Sequence, residues 1–482
     1  MASALRPLQS VNVIQRENEK QGTTSWQRRD PANSREIEGY GSATSIDRGQ
    51  SIQIFVSTTD PSYSMEVFRM GWYGGAGARL MTAPISRMGF VQDTPSADAA
   101  TGLIECNWRD PWTIAVPYDE SDPTHWASGV YVVKLTGTTS GKSSYVMFVV
   151  RDDRRSSPLL FQSCVTRYQA YNNWGGKSLY NFNSTGGPAR KVSFNRPYAG
   201  NGTAEFLRTS GWEYNILRFV EREGYDVSYS TNIDTHADGA SLLRHRGFLS
   251  VGHDEYWSWE MRNNVETALA RGLNMAFFSA NTCYWQIRLE PDTAGQPYRR
   301  VTSYKETALA EDPLACDGDP SNDHLVTTLW RNAPVNRPEE ELVGVMYGAS
   351  PVDGDITIDD DRHWIFAGSG LSRGSRLPGL LGYEVDRIYG AQRPSLVRLA
   401  HSPFTAGDGE TGFSDMTIYT AASGATVFAT GSMQWAWGLD DWNATPARPS
   451  RIHPGAQQMT RNLLNRFATG SGSSRRRAVR RG

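Results

Sequence analysis

The sequence has few cysteines, no long apolar run and almost no net charge. Its cysteines are Cys106, Cys164, Cys283 and Cys316, and no two of them have the C-x-x-C spacing of a thiolate metal site. A disulfide framework or a cysteine zinc site is therefore not expected. No stretch approaches 18 consecutive apolar residues, so no transmembrane helix is expected either.

Neither sign of charge is in clear excess, because the chain has 49 Lys and Arg residues and 51 Asp and Glu residues. A chain without a strong net field is not expected to have nucleic acid or an anionic membrane as its main partner. Residues 1–22 lack the apolar segment of a secretory signal, so we expect a cytoplasmic protein.

What is present is typical of a globular protein, with 39% hydrophobic and 21% charged residues. Short alternating runs over residues 38–152, separated by Gly and Pro turns, predict an immunoglobulin-like β-sandwich. A polar, irregular arm over 1–37 precedes it. Residues 153–470 predict an α/β domain with a parallel sheet and a loop-rich insertion at about 287–380. A helix is predicted over 204–223, and the basic tail 471–482 is expected to be disordered.

The stretch 246–285 organises the second domain. Residues 248–251 form a short apolar run, 259–271 repeat apolar positions at helical spacing, and 273–279 form a second apolar run. Strand, helix and strand in that order predict a parallel pair, and ligands lie beyond the carboxyl ends of such strands. His253, Glu255 and Asn281 follow the strands, which makes them candidate active-site residues.

The residue types at these strand ends allow several chemistries. His253 and Glu255 would point to the same side of an extended segment, as a base with a ligand, as two metal ligands, or as polar caps of the next helix. Tyr168, Tyr171 and Tyr180 follow another predicted strand. Tyrosines of this kind usually serve packing, but phenolate and carboxylate are hard oxygen donors that suit trivalent iron.

Motifs in the second domain resemble the catalytic domain of the N,N-dimethylformamidase large (beta) subunit family. The similar segments occur in the same order at 166–172, 178–180, 252–258, 279–281 and 383–387. The resemblance implies a fold like that of class I glutamine amidotransferases, without the cysteine nucleophile.

The resemblance also implies a mononuclear Fe³⁺ site and roles for individual residues. The implied metal ligands are Tyr171, Tyr180 and Glu255, with Tyr168 as a rival to Tyr171. The implied catalytic residues are His253, Glu384 and Asn281, as the proton acceptor, its acidic partner and a substrate contact.

The expected function is metal-dependent hydrolysis of a small amide. One alternative is a protein without catalytic activity that binds carbohydrate or another protein. The other is a glycoside hydrolase that uses Glu255 and a second carboxylic acid. A homo-oligomer or a small-subunit partner is also expected.

Overall fold

The computed structural model describes residues 11–208, 211–390 and 395–469. The predicted basic tail, 471–482, lies outside the described residues. Within the described ranges, no helix is long and apolar enough to cross a bilayer.

The N-terminal part begins with a helix that the sequence did not suggest, α1 (Val13–Asn18), followed by strands. These strands are β1 (Ile37–Gly41), β2 (Ser45–Asp47), β3 (Ser51–Thr58), β4 (Ser62–Met70), β5 (Ala78–Leu80), β6 (Ile85–Met88), β7 (Trp112–Ala115), β8 (Gly129–Gly137) and β9 (Ser143–Arg151). One sheet has the order β1-β3-β7, and the other has the order β2-β9-β8-β4-β5, with β6 on β4. Ile52, Met65 and Val133 belong to the shared apolar core of the two sheets. The boundaries 38–152 stay a prediction.

The irregular arm was a wrong prediction for Val13–Asn18. The side chain of Asn12 accepts a hydrogen bond from the Gln15 amide at 2.9 Å and so caps the helix. The Glu17 carboxylate is buried and lies 2.6 Å from Arg79 Nε. The helix is stable here because Ile14 is buried in the core and the Glu17 carboxylate is paired within the fold, and a single apolar position gives no periodic pattern to recognise.

The second part is built around a mostly parallel sheet. Its first elements are β10 (Leu159–Ser163), α2 (Val165–Tyr171), β11 (Lys191–Ser193), α3 (Glu213–Arg222), β12 (Val227–Thr231), α4 (Asn232–Ala237), β13 (Gly247–Val251), β14 (Tyr256–Ser258), α5 (Trp259–Ala270) and β15 (Asn274–Phe278). Strands β10, β12, β13 and β15 run parallel, and Val251 at the end of β13 pairs with Phe278 at the end of β15. The predicted strand, helix and strand of 246–285 are confirmed.

Successive residues of β13 enter different apolar cores, since Phe248 belongs to one core and Leu249 to the other. A sheet covered on both faces needs apolar residues at every strand position, and this accounts for the unbroken apolar runs in the sequence.

The predicted helix over 204–223 was too long, because the helix observed there is α3, Glu213–Arg222. Gly211 lies so close to the preceding turn that an added Cβ would stand 2.1 Å from the Glu205 carbonyl oxygen. The chain therefore folds back on itself before the helix begins.

The insertion predicted to be loop-rich contains regular elements. They are β16 (Trp285–Glu290), β17 (Arg300–Thr302), α6 (Ala308–Glu311), α7 (Pro313–Cys316), α8 (Glu340–Val343), β18 (Met346–Thr357) and β19 (Arg376–Arg387). Strands β18 and β19 form a long antiparallel ribbon.

The last elements are β20 (Val397–Thr405), β21 (Thr411–Thr420), β22 (Thr426–Ala429) and α9 (Pro454–Thr469). The full order of the sheet is β12-β10-β13-β15-β22-β21-β20, in which β22 runs parallel to β15 and the last pairs are antiparallel. The molecule is thus a mixed α/β protein with additional β sheets.

Candidate active site

The site lies where the two loops that follow β13 and β15 begin side by side. The Gly252 amide donates to the Phe278 carbonyl oxygen at 3.2 Å, which keeps the loops adjacent beyond the last strand pair. Gly252 has φ +79°, and a Cβ there would meet Glu213 Cγ at 2.6 Å. Glycine is required at this turn because both the conformation and the close packing exclude a side chain.

Three candidate metal ligands converge on one point. Tyr180 Oη donates to Tyr171 Oη at 2.7 Å and lies 2.9 Å from Glu255 Oε1. The Tyr256 hydroxyl also donates to Tyr180 Oη, a contact that sequence reasoning missed. Helix α2 supplies Tyr171, and the loop after it supplies Tyr180. The separation of nine positions in the chain is closed by the turn between them.

The tyrosine hydroxyls are in a setting that disfavours their anions. Burial and then the Glu255 charge raise the pKa of both Tyr171 and Tyr180 well above the ordinary value. Burial also raises the pKa of Glu255. Phenolate ligands therefore require a strong positive charge among these oxygens.

His253 contacts two carboxylates through one ring nitrogen. Its Nε2 lies 3.3 Å from Glu255 Oε2 and 3.2 Å from Glu384 Oε2. Its Nδ1 accepts a hydrogen bond from Arg167 Nε at 3.0 Å. Because arginine stays protonated, Nδ1 is the acceptor and the neutral imidazole carries its proton on Nε2, towards the carboxylates.

Glu384 was expected to be the acidic partner of His253, and the two side chains are in contact. Arg167 contacts the far side of the ring, and Glu384 shares the reactive side of the ring with Glu255. Burial lowers the pKa of His253, but the Glu384 and Glu255 carboxylates together outweigh it and the net direction is upward. Burial alone would raise the pKa of Glu384, yet the His253 and Arg167 charges hold it below its ordinary value.

Two cations stand over the tyrosine rings, and sequence reasoning missed both. The Arg167 guanidinium lies 3.9 Å from the Tyr171 ring centroid and forms an ion pair with Glu205. Lys305 Nζ lies 3.3 Å from the Tyr180 ring centroid, and burial lowers the pKa of this amine to about 8. Arg167 was inside a recognised motif, but Lys305 comes from the insertion and no pattern marked it.

Several polar atoms of the site are buried and lack a well-aligned hydrogen bond in the part of the chain that the structure describes, although three of them meet in the ion pairs of His253. They are His253 Nε2, Glu255 Oε2, Asn281 Oδ1 and Glu384 Oε2. Their residues are 2%, 2%, 5% and 8% exposed, in that order. Buried polar atoms normally have partners, so these atoms indicate a place for a ligand or an ion.

Asn281 is held in an unusual conformation, with φ +52°. Its backbone amide donates to Asp386 Oδ1 at 2.7 Å, which ties the loop after β15 to strand β19. Asp386 is two residues beyond Glu384 on the same strand. One strand therefore positions both the loop that carries Asn281 and the carboxylate that meets His253.

Tyr168, the rival to Tyr171, is buried away from the cluster of oxygens. Its hydroxyl lies at Glu213, whose pKa burial raises to about 7. No group of three or more His, Cys, Asp and Glu side chains suited to a metal ion occurs among the described residues. A metal ion at this site would depend on the tyrosine oxygens, and Tyr171, Tyr180 and Glu255 form a compact set of hard donors that fits Fe³⁺.

The fold and the site together define a mixed α/β protein with a buried, polar site at the carboxyl end of a parallel sheet. Residues 64–448 match the family described as N,N-dimethylformamidase beta subunit-like, C-terminal. The chain belongs to this family.

Relatives with established names are distant. An N,N-dimethylformamidase beta subunit from Alcaligenes sp is 24% identical over 446 residues, which cover 76% of this chain and 55% of the relative. The corresponding subunit of Paracoccus aminophilus is 24% identical over 296 residues, which cover 53% of this chain and 36% of the relative. The matches thus span about half and about a third of the relatives' lengths.

Among solved structures, the mmIFT52 N-terminal domain aligns with 52% of this chain and 87% of its own length. The TM-score of 0.28 and the identity of 9% are too low to carry an argument.

Proposed function

We propose that the protein is a metal-dependent amide hydrolase with a mononuclear Fe³⁺ held by Tyr171, Tyr180 and Glu255. The observation that carries the proposal is the meeting of these three oxygens, with Tyr180 Oη 2.7 Å from Tyr171 Oη and 2.9 Å from Glu255 Oε1. The names of the relatives support an amide as the substrate. When bound, the ion would supply a Lewis acid for water and for the substrate carbonyl.

His253 and Glu384 act as one proton-transfer pair. The Arg167 hydrogen bond to Nδ1 leaves the proton of the neutral ring on Nε2, which lies 3.2 Å from Glu384 Oε2. Glu384 then accepts the proton of the attacking water, and His253 Nε2 gives its proton to the leaving amine and takes the proton held by Glu384, so that both groups return to their starting states.

Asn281 and the two cations bind and balance charge around this pair. The free Asn281 Oδ1 is an acceptor for an N–H of the substrate or for water. Arg167 and Lys305 offset the carboxylates, and their positions over the tyrosine rings also favour negative charge on the phenol oxygens. The walls of the site are otherwise buried, which excludes bulk water from the reacting groups.

The glutamine amidotransferase-like arrangement without a cysteine nucleophile is part of the proposal. Cys164 follows strand β10, but its thiol is buried and donates to Glu213 Oε1 at 2.6 Å. Burial, reinforced by the Glu213 charge, raises the pKa of this thiol well above its ordinary value. A thiol held protonated is a poor nucleophile. A cytoplasmic location and a small-subunit partner stay predictions.

A glycoside hydrolase is the second candidate, because two buried carboxylates, Glu255 and Glu384, face the same His253 nitrogen. Paired carboxylates are the working groups of that class. Removal of metal separates the two functions, since glycoside hydrolysis by carboxylates alone survives it.

The proposal is tested on purified protein by metal analysis and by hydrolysis of a panel of formamides and acetamides, before and after iron is removed and restored. We expect stoichiometric iron and amide cleavage that follows the iron content. An iron-loaded protein that cleaves no amide would contradict the proposed reaction.

A further inference from the structure

A large cleft opens beside the site and has a strongly donor-rich wall. It has a volume of about 860 Å³, within the size range of small-molecule binding sites. We name it the arginine cleft and define it by Arg208, Tyr383, Gln434, Trp437, Arg448 and Arg451. A formamide or acetamide alone would fill only a small part of this space.

The charges of the cleft are unevenly matched. Arg451 is neutralised by Asp353, since its Nη1 lies 2.7 Å from Asp353 Oδ1. Arg448 has no carboxylate within ion-pair distance among the described residues, and its Nη2 donates to the Trp442 carbonyl oxygen at 2.9 Å. Arg208 at the rim lies 3.8 Å from Glu205, which already pairs with Arg167.

The atoms left without partners at the cleft are all donors. Arg448 Nε and Nη1 and Trp437 Nε1 are buried and have no hydrogen-bond partner in the described part of the chain. The Arg448 guanidinium lies 4.8 Å from the Trp437 ring centroid, so the two side chains form one surface. A buried guanidinium without an anion is costly, and a carboxylate would relieve that cost.

The cleft borders elements of the proposed active site at two points. Arg208 borders both the cleft and a small cavity lined by Tyr171 and Glu205. Tyr383 lines the cleft, and the next residue, Glu384, contacts His253 at 3.2 Å. The cleft and the proposed active site are therefore neighbours, joined through Arg208 and through strand β19.

We infer that the substrate is an amide that carries a carboxylate at a distance from the scissile bond, and that Arg448 and Arg208 bind this carboxylate. The inference rests on the proposed amide hydrolysis for the reaction, but the anion site stands on the cleft alone. Arg448, Arg208 and Trp437 are then specificity-determining residues for the length and charge of the substrate.

The test compares ω-formamido carboxylic acids of increasing chain length with N-alkylformamides of the same lengths. Binding to the purified protein is measured by titration calorimetry and turnover by kcat/KM. We expect one chain length of the acid to bind roughly tenfold or more tightly than its neutral counterpart, and added salt to weaken this preference. Arg448→Met and Arg208→Met should each remove most of the preference, so that the acid binds little better than its neutral counterpart.

Arg373→Met is the matched control, because Arg373 is an exposed arginine outside the cleft. Arg208 is exposed, so its variant keeps the test valid if Arg448→Met does not fold. Equal binding of acids and neutral amides, or unchanged acid binding in both cleft variants, would overturn the inference. Tight, arginine-dependent binding of acids without any hydrolysis would support the anion site and contradict the proposed reaction.

Discussion

At the residue scale, the environment of His253 assigns different roles to Glu255 and Glu384. Arg167 occupies Nδ1, while Glu255 and Glu384 both face Nε2. A ligand and a proton acceptor are thus separated by one imidazole. Substitutions of the two glutamates are therefore expected to differ in their effects on metal content and on kcat.

Glu255→Ala should lose metal and activity together, because it removes one of three anionic oxygen ligands. The metal content is measured on the purified variant. Glu341→Gln is the control, since this carboxylate is exposed and is not one of the proposed site residues. Full metal content in Glu255→Ala would remove this residue from the ligand set.

His253→Ala and Glu384→Gln should both keep the metal and lose roughly 10²–10⁴-fold in kcat, the usual contribution of a positioned acid–base group. The two losses should be similar, since both residues share the proton on Nε2. A far milder effect of Glu384→Gln would mean that Glu384 only orients the imidazole. Unchanged kcat in His253→Ala would exclude histidine from the mechanism.

At the element scale, the site depends on the turn that leaves β13. Gly252→Ala places a methyl group 2.6 Å from Glu213 Cγ at a positive φ, whereas Gly272→Ala has a positive φ and no atom within 4 Å. The comparison separates the steric clash with Glu213 from the strain of a side chain at positive φ, because only Gly252→Ala has the clash. We expect Gly252→Ala to lower the free energy of unfolding by roughly 1–3 kcal/mol more than Gly272→Ala. Denaturant unfolding measures both, and equal losses would contradict the packing account.

The elements of the site differ in how far the sequence predicts them. The pair β13 and β15 was predictable, because buried parallel strands leave unbroken apolar runs with glycine at the turns. The approach of β19, which brings Glu384 to His253, depends on a ribbon formed far along the chain. Lys305 entered the site through long-range packing that no local period encodes. Arg167, four residues before Tyr171 on α2, and Tyr256, next to Glu255, lay within the recognised motifs.

Polar pairing hid other elements from sequence analysis. The helix Val13–Asn18 buries a single apolar side chain, Ile14, and is stabilised as well by the buried contact between Glu17 and Arg79. The helix that begins at Glu213 was predicted too early, because Gly211 and its close contact with Glu205 are features of the fold. A long-range ion pair decides the first case, and a tight local turn decides the second.

At the scale of the whole molecule, stability should depend on His245, where the linker meets the parallel sheet. Its Nδ1 lies 2.8 Å from the Ser157 carbonyl oxygen, and burial lowers its pKa from 6.5 to about 4. Between about pH 6.5 and about pH 4, the His245 imidazole is therefore protonated in the unfolded chain and neutral in the folded protein. Stability from this group is complete above the upper value and is lost as the pH falls.

His245→Asn should accordingly reduce the loss of unfolding free energy over that pH range, because asparagine keeps a donor for Ser157 and does not titrate. Denaturant unfolding at both ends of the pH range measures this loss of unfolding free energy. His125→Asn, at an exposed histidine, is the control. An identical pH dependence in His245→Asn and the wild type would contradict the assignment.

The central claim is that the tyrosine and glutamate oxygens hold iron. The most direct measurement is the visible absorption and iron content of the purified wild type, Tyr180→Phe and Tyr168→Phe. We predict a phenolate-to-iron charge-transfer band in the wild type and in Tyr168→Phe, since Tyr168 lies at Glu213 outside the cluster. Tyr180→Phe should lose both the colour and the iron. A colourless wild type with stoichiometric zinc, or unchanged colour and iron in Tyr180→Phe, would contradict the account.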